Sequence, residues 1–274
     1  MRRLWVQVVV ATVVLTAAQA VLSFLVPPTD PRPGVLGPVL VSNALVAALL
    51  TFVNARLRAR GIAGAAVLWA VWGGIQANSL LEAVLFDIGI SRADLAWLAA
   101  FSLAVSGCFA LFLALAFRSH DAPNEPATRG TLSWWRLGVC VLAYIVSYFT
   151  AGTAAYPYLR DFYEARPMPA QSTVALLQVF RGLAFCGIVT VIVRQVRARR
   201  LGAAVLAGLA LSVLGGIAPL IIPNPYLPDH VRYAHLPEVG VSNFLFGLLA
   251  GWLLSAPRRE PAVAERAAAA PVHP

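Results

Sequence analysis

Residues 196–222 read VRARRLGAAVLAGLALSVLGGIAPLII: three arginines in five residues, then 22 residues without a single charge. A helix needs about 20 mainly apolar residues to cross the hydrocarbon core of a bilayer, so 201–222 suffices for one crossing. A basic cluster against one end of such a segment is the pattern that holds that end in the cytoplasm. Working outward, seven more segments qualify. The full set is Leu4–Val26, Val35–Asn54, Ile62–Phe86, Leu95–Phe117, Trp135–Thr153, Ser172–Val193, Leu201–Ile222 and Leu236–Ser255. Polar or proline-rich breaks separate them, where proline's missing amide hydrogen and ring clash end a helix.

The composition agrees with this division. The chain has 274 residues, 59% of them apolar and 12% charged, with a mean hydropathy of +0.76. Soluble domains are roughly 45–50% apolar and about 25% charged. The numbers exclude a soluble globule, a disordered chain and a disulfide-stapled secreted fold. Cys108, Cys140 and Cys186 all lie in apolar runs and read as small packing residues. The expected fold is all-α: a polytopic membrane protein of eight transmembrane helices.

All 21 basic residues are arginine and the net charge is +9. These arginines form short clusters beside apolar segments rather than a basic domain, so nucleic acid is not an expected partner; the lipid bilayer is. Alternate connections hold Arg2 and Arg3; Arg56, Arg58 and Arg60; Arg118, Arg129 and Arg136; Arg194, Arg197, Arg199 and Arg200; and Arg258, Arg259 and Arg266, making 15. The opposite connections hold five: Arg32, Arg92, Arg160, Arg166 and Arg232. The positive-inside rule then places both termini in the cytoplasm, in a bacterial-type cytoplasmic (inner) membrane. Trp5, Trp134, Trp135 and Trp252 fall at cytoplasmic helix ends, where indole suits the headgroup layer. Met1-Arg2-Arg3 and Ala18-Gln19-Ala20 resemble parts of a cleavable signal, but the apolar run continues through Val26, and an uncleaved helix is expected.

Two halves of the chain resemble each other. Arg56–Arg60 leads into Gly64-Ala65-Ala66-Val67-Leu68 and Gly73-Gly74-Ile75; Val196–Arg200 leads into Gly202-Ala203-Ala204-Val205-Leu206 and Gly215-Gly216-Ile217. Small residues recur every four positions at Ala66, Ala70 and Gly74 and at Ala204, Gly208, Ser212 and Gly216, a spacing that lets helices approach closely in lipid. The reading is two parallel four-helix repeats, 1–118 and 134–256, joined by a cytoplasmic linker, 119–133, and followed by a disordered cytoplasmic tail, 257–274.

Candidate chemistry gathers in the extracytoplasmic half. Arg181 lies about nine residues into its span, roughly 14 Å deep at about 1.5 Å per residue. An arginine there costs about 2.5–3.5 kcal/mol or more unless it faces protein or water. Gln171 and Gln178 share its broad helix face. It marks either a site for a polar or anionic group or a structural ion pair. Glu82, which follows Asn78, and Glu238, which precedes Asn243, are the acids able to neutralise it. Arg181, Gln178, Glu82, Asn78 and Asn243 are therefore the candidate binding residues.

His235 and Glu238 would share a helix face if the last helix begins early, and are the candidates for general acid–base catalysis. With His230 they are also the candidate metal set, but the spacing matches no metal motif and Pro237 intervenes, so no metal is expected. Tyr156–Pro169 and Pro223–His235 read as long outer loops, stiff with proline and anchored by aromatics. No phosphate-cradling glycine loop, dinucleotide fingerprint, HExxH or nucleophile elbow occurs, nor a pair of helix histidines for haem, and no cofactor is expected. The best reading is a transporter or permease-like protein binding a small polar or anionic solute or a lipid headgroup. A membrane enzyme acting on a lipid-linked or extracytoplasmic substrate and a non-catalytic accessory subunit are the alternatives.

Overall fold

A computed structural model describes residues 2–24, 34–86, 89–117, 129–130 and 132–256. Its eight helices are α1 (Arg2–Ser23), α2 (Leu36–Arg56), α3 (Gly61–Leu85), α4 (Arg92–Ala116), α5 (Trp134–Glu164), α6 (Gln171–Gln195), α7 (Arg200–Ile221) and α8 (Asp229–Leu253). Seven are long and apolar enough to cross a membrane; α3 falls short of that measure. The reason is its second half, where Gln76, Asn78, Ser79 and Glu82 interrupt an otherwise apolar, glycine-containing helix. Most of the linker 119–133 and all of the tail 257–274 lie outside the described residues, as do residues 25–33. Extended pairing among the described residues is confined to Arg129–Gly130 with Ser255–Ala256 and to a Leu57–Val196 bridge.

Each half is a packed set of its own. Helix α1 lies on α2 and α4, and α3 on α4; in the second half α5 lies on α6 and α8, and α7 on α8. The halves meet where α3 packs on α6 and α2 packs on α7. At one end of the bundle the two arginine-rich turns lie side by side. Arg58 N donates to Gln195 O at 2.8 Å and Arg197 N to Arg56 O at 2.9 Å, so both turns satisfy the carbonyls left open by the preceding helix. The C-terminus of α8 sits at this same end. Arg200 donates from Nε (3.0 Å) and Nη2 (2.8 Å) to Trp252 O, and Arg136 from Nη1 to Leu253 O at 3.1 Å. Cations suit the negative end of a helix dipole.

Small residues set the closest contacts between α7 and α8. A Cβ on Gly247 would stand 2.7 Å from Gly208 Cα, and one on Gly251 2.6 Å from Ala204 Cα. The backbones therefore touch, as small-residue stripes permit. The first half differs from expectation here. Ala66 and Ala70 face outward, and α3 instead meets α4 through Gly73 and Trp69, whose Nε1 donates to Leu103 O at 3.0 Å.

Two expected helix limits are corrected. Helix α5 does not stop at Thr153; it runs through Pro157 to Glu164, so most of the expected loop Tyr156–Pro169 is helix. Pro157 removes one backbone bond. Burial of Ala155, Leu159 and Phe162 against Val231 of α8 outweighs that loss. Helix α8 begins at Asp229 rather than Leu236, placing His230, Arg232, His235 and Pro237 within it. Arg232 explains the early start. Only 1% exposed, it donates from Nη1 to Leu220 O (2.7 Å) and Ile221 O (2.8 Å) and pairs with Asp229 at 2.8 Å. One side chain thus closes the end of α7 and the first turn of α8.

Helix α7 holds a π turn at Val213–Ile217. Ala218 N reaches back five residues to Val213 O, the bond that defines a π turn within an α-helix. Asn243 Nδ2 of α8 takes Leu211 O at 3.3 Å, while Ser212 Oγ donates to Gly240 O at 2.7 Å. Gly215 lies so close to α3 that a Cβ there would be 2.9 Å from Ile75 Cγ2.

Candidate functional site

The polar residues of α3 and α6 meet at the seam between the halves, away from the arginine-rich turns. Arg181 is 6% exposed. Its Nη1 forms an ion pair with Glu82 Oε1 and donates to Gln178 Oε1 at 3.0 Å. Its Nε donates to Asn78 O at 3.3 Å, and Asn78 Nδ2 donates to Arg181 O at 3.4 Å. Of the two acids that the sequence offered as partners, Glu82 takes the role. Tyr144 of α5 lies with its ring 5.9 Å from the guanidinium carbon, and Tyr148, one turn further, faces the Glu82 carboxylate.

The site is not fully saturated. Asn78 Oδ1 and Gln178 Nε2 are buried without a hydrogen-bond partner. One accepts and the other donates. A buried polar atom left open costs about 1–3 kcal/mol. Both belong to side chains that touch Arg181, so an open acceptor and an open donor flank a compensated ion pair. Gln171, by contrast, lies exposed at the start of α6 and does not join the cluster.

A second cluster forms between α5 and α8. Glu238 Oε2 stands 2.5 Å from His235 Nδ1, and the Tyr163 hydroxyl 3.2 Å from His235 Nε2. The His235 and Glu238 side chains are 16% and 15% exposed. An ionised carboxylate only accepts, which puts a hydrogen on Nδ1; Nε2 then accepts from the Tyr163 hydroxyl in the neutral ring and donates to it in the imidazolium. This pairing is available because α8 is already helical at His235, which puts His235 and Glu238 on one face despite Pro237. The Tyr163 ring lies 6.4 Å from that of Phe86, at the end of α3 and one turn beyond Glu82, whose carbonyl accepts from Phe86 N at 2.8 Å. The two clusters are therefore neighbours.

The remaining candidates are not brought in. His230 is exposed on the first turn of α8, apart from the His235–Glu238 pair. Among the described residues no three His, Cys, Asp or Glu side chains gather as a metal-binding group. Asn243 is buried and engaged with α7 rather than with Arg181. Sequence reasoning missed Tyr163 because Tyr156–Pro169 reads as loop, and it missed Tyr144 and Tyr148 because nothing local says which face of their span meets α6. Extending the helix would have exposed the signal: Tyr144, Tyr148, Ala155, Leu159 and Phe162 follow three- and four-residue helical steps down one side of α5.

The architecture is that of a multi-span helical membrane protein with a buried ion pair between its halves. Comparison with protein-family models, curated proteins and solved structures returns no match. The site must therefore be read from its own chemistry.

Proposed function

We propose that this chain is a permease-like protein of a bacterial cytoplasmic membrane, with α3 as its eighth span and both termini in the cytoplasm. The proposed repeats are α1–α4 and α5–α8, related by an axis along the membrane normal. Matching contacts support them: α1 on α2 and α4 parallels α5 on α6 and α8, and α3 on α6 parallels α2 on α7. The Leu57–Val196 bridge, with its two reciprocal backbone bonds, is what a local two-fold axis would produce.

The observation that carries the reading is the Arg181–Glu82 pair, which joins α3 to α6 across the seam and has open amide atoms at Asn78 and Gln178. Rocking of two halves must break and remake contacts at that seam. Because Glu82 already compensates Arg181, the site suits a polar group that both donates and accepts hydrogen bonds. An anionic solute or headgroup enters by displacing Glu82 from the guanidinium. The test is cysteine accessibility. A Gln178→Cys variant in vesicles of either orientation should react with an impermeant thiol reagent from both faces. Reaction from one face only would oppose alternating access, and no reaction from either would leave a closed structural pair.

A second reading is favoured by the Tyr163–His235–Glu238 chain. A histidine oriented by a carboxylate is the usual form of a general base. In that reading the protein is a membrane enzyme working on a lipid-linked or extracytoplasmic substrate, and Gln178→Cys reacts from the outer face alone.

A further inference from the structure

The Tyr163–His235–Glu238 chain has an asymmetry that the solute site does not use. Glu238 holds the Nδ1 hydrogen of His235, so the neutral ring takes up a proton at Nε2, 3.2 Å from the Tyr163 hydroxyl, which donates to it in that form. A proton arriving at Nε2 turns that nitrogen from acceptor to donor. The hydrogen bond must then reverse: Nε2–H donates to the Tyr163 oxygen, and the phenolic hydrogen has to turn towards another acceptor. One proton enters, none leaves, and one hydroxyl changes direction.

What surrounds the ring decides what that reversal affects. Helix α8 packs on α5, α6 and α7. From α5 come Tyr163 and Tyr148; from α6 comes Arg181, paired with Glu82 of α3; and the part of α7 at this end, residues 212–221, has no ionisable side chain. On α8 itself are Glu238 and, two turns earlier, Arg232 and Asp229, which pair with each other. Beyond Tyr163, Arg166 is folded over Phe162, 3.8 Å from the ring centroid. Tyr163 meets Phe86, their ring centroids 6.4 Å apart, and Phe86 N donates to Glu82 O at 2.8 Å, so the partner of His235 abuts the turn of α3 that carries Glu82. Glu238 is already engaged by His235. The group able to respond to a new positive charge and a turned hydroxyl is Glu82, the partner of Arg181.

We infer that His235 is a proton-binding site whose occupancy is passed through Tyr163 to the Glu82–Arg181 pair, making the proton the coupling ion of the seam. Glu238 is a positioning residue that fixes the ring so that only Nε2 can load. The inference rests on the permease reading for its purpose but not for its geometry. Protonation draws Glu82 towards α5 and loosens its hold on Arg181, and the guanidinium becomes available to a polar or anionic group. The polar solute and the proton would then bind together.

The test is infrared difference spectroscopy on the full chain in lipid nanodiscs, stepping from neutral to mildly acidic pH, with the proton as the only probe. The wild-type spectrum should contain a histidine change, a tyrosine C–O change lost in Tyr163→Phe, and a carboxylate change lost in Glu82→Gln. In Tyr163→Phe the histidine change should persist while the Glu82 change falls at least severalfold. In His235→Asn all three should vanish. A Glu82 band of undiminished size in Tyr163→Phe or His235→Asn would overturn the inference, as would a wild-type spectrum lacking the tyrosine change. Where His235→Asn does not yield monodisperse protein, Tyr163→Phe, which removes one oxygen, decides alone. Cysteine access at Gln178 is read separately. A failed relay with two-sided access leaves the permease standing without this coupling, and an intact relay with one-sided access transfers the proton site to the enzyme reading.

Discussion

Arg181 and Asn78 hold each other from both directions: the arginine Nε donates to the asparagine's main-chain carbonyl at 3.3 Å, and the asparagine Nδ2 donates to the arginine's at 3.4 Å. In a helix those carbonyls already accept from their own backbone, so each takes a second donor on its remaining lone pair. The result fixes the register of α3 on α6. Replacing Asn78 by Leu removes the side-chain donor while keeping the volume close. We expect a loss of about 1–2 kcal/mol, typical of one buried hydrogen bond. Thermal unfolding in mild detergent measures it, and an unchanged midpoint would show that the register is set elsewhere.

The ion pair should show a larger and non-additive effect. Arg181→Gln leaves Glu82 without its cation, and breaking a buried pair costs about 3–5 kcal/mol. The low end applies because the Glu82 side chain is still 33% exposed. Arg181→Gln with Glu82→Gln should recover most of the loss, since no isolated charge is left. A double variant no more stable than Arg181→Gln would remove the pair as the source of the effect.

Arg232 is expected to matter for structure rather than for binding. Its Nη1 bonds to Leu220 O and Ile221 O complete the end of α7, and Asp229 compensates its charge. Arg232→Met should cost about 2 kcal/mol or more, since hydrogen bonds to a charged donor are worth about 1.5–3 kcal/mol each. Arg232→Lys should recover part of this, because an ammonium can reach one carbonyl but lacks the planar fork. Equal stability of the Met and Lys variants would argue that packing alone holds α7 to α8.

The backbone contact of α7 with α8 predicts intolerance at Gly251. A Cβ there would lie 2.6 Å from Ala204 Cα, a backbone atom that can move only with its helix. Gly251→Val should therefore lower the yield of folded protein and shift the unfolding midpoint down, overpacking costing about 1–3 kcal/mol or more. Gly138→Val is the control, because nothing lies within 4 Å of a Cβ placed on Gly138. If the two behave alike, the close approach does not exist in the membrane.

The helical class and the gathering of the arginine-rich turns at one end of the bundle follow from the amino-acid sequence alone, because about 20 uncharged residues in a row have few other stable uses. It also singled out Arg181 and Gln178 as one polar face, since helical spacing is a local property. It could not extend α5 through Pro157 or start α8 at Asp229. Those limits depend on Ala155, Leu159 and Phe162 burying against Val231 and on Arg232 closing α7, contacts between distant parts of the chain. Tertiary structure alone chose Glu82 over Glu238 for Arg181, left His230 aside, and brought Tyr163 to His235. Spacing along one helix is set by the backbone, whereas pairing across helices is set by which faces pack, and desolvated charges accept only the partners that packing brings within reach.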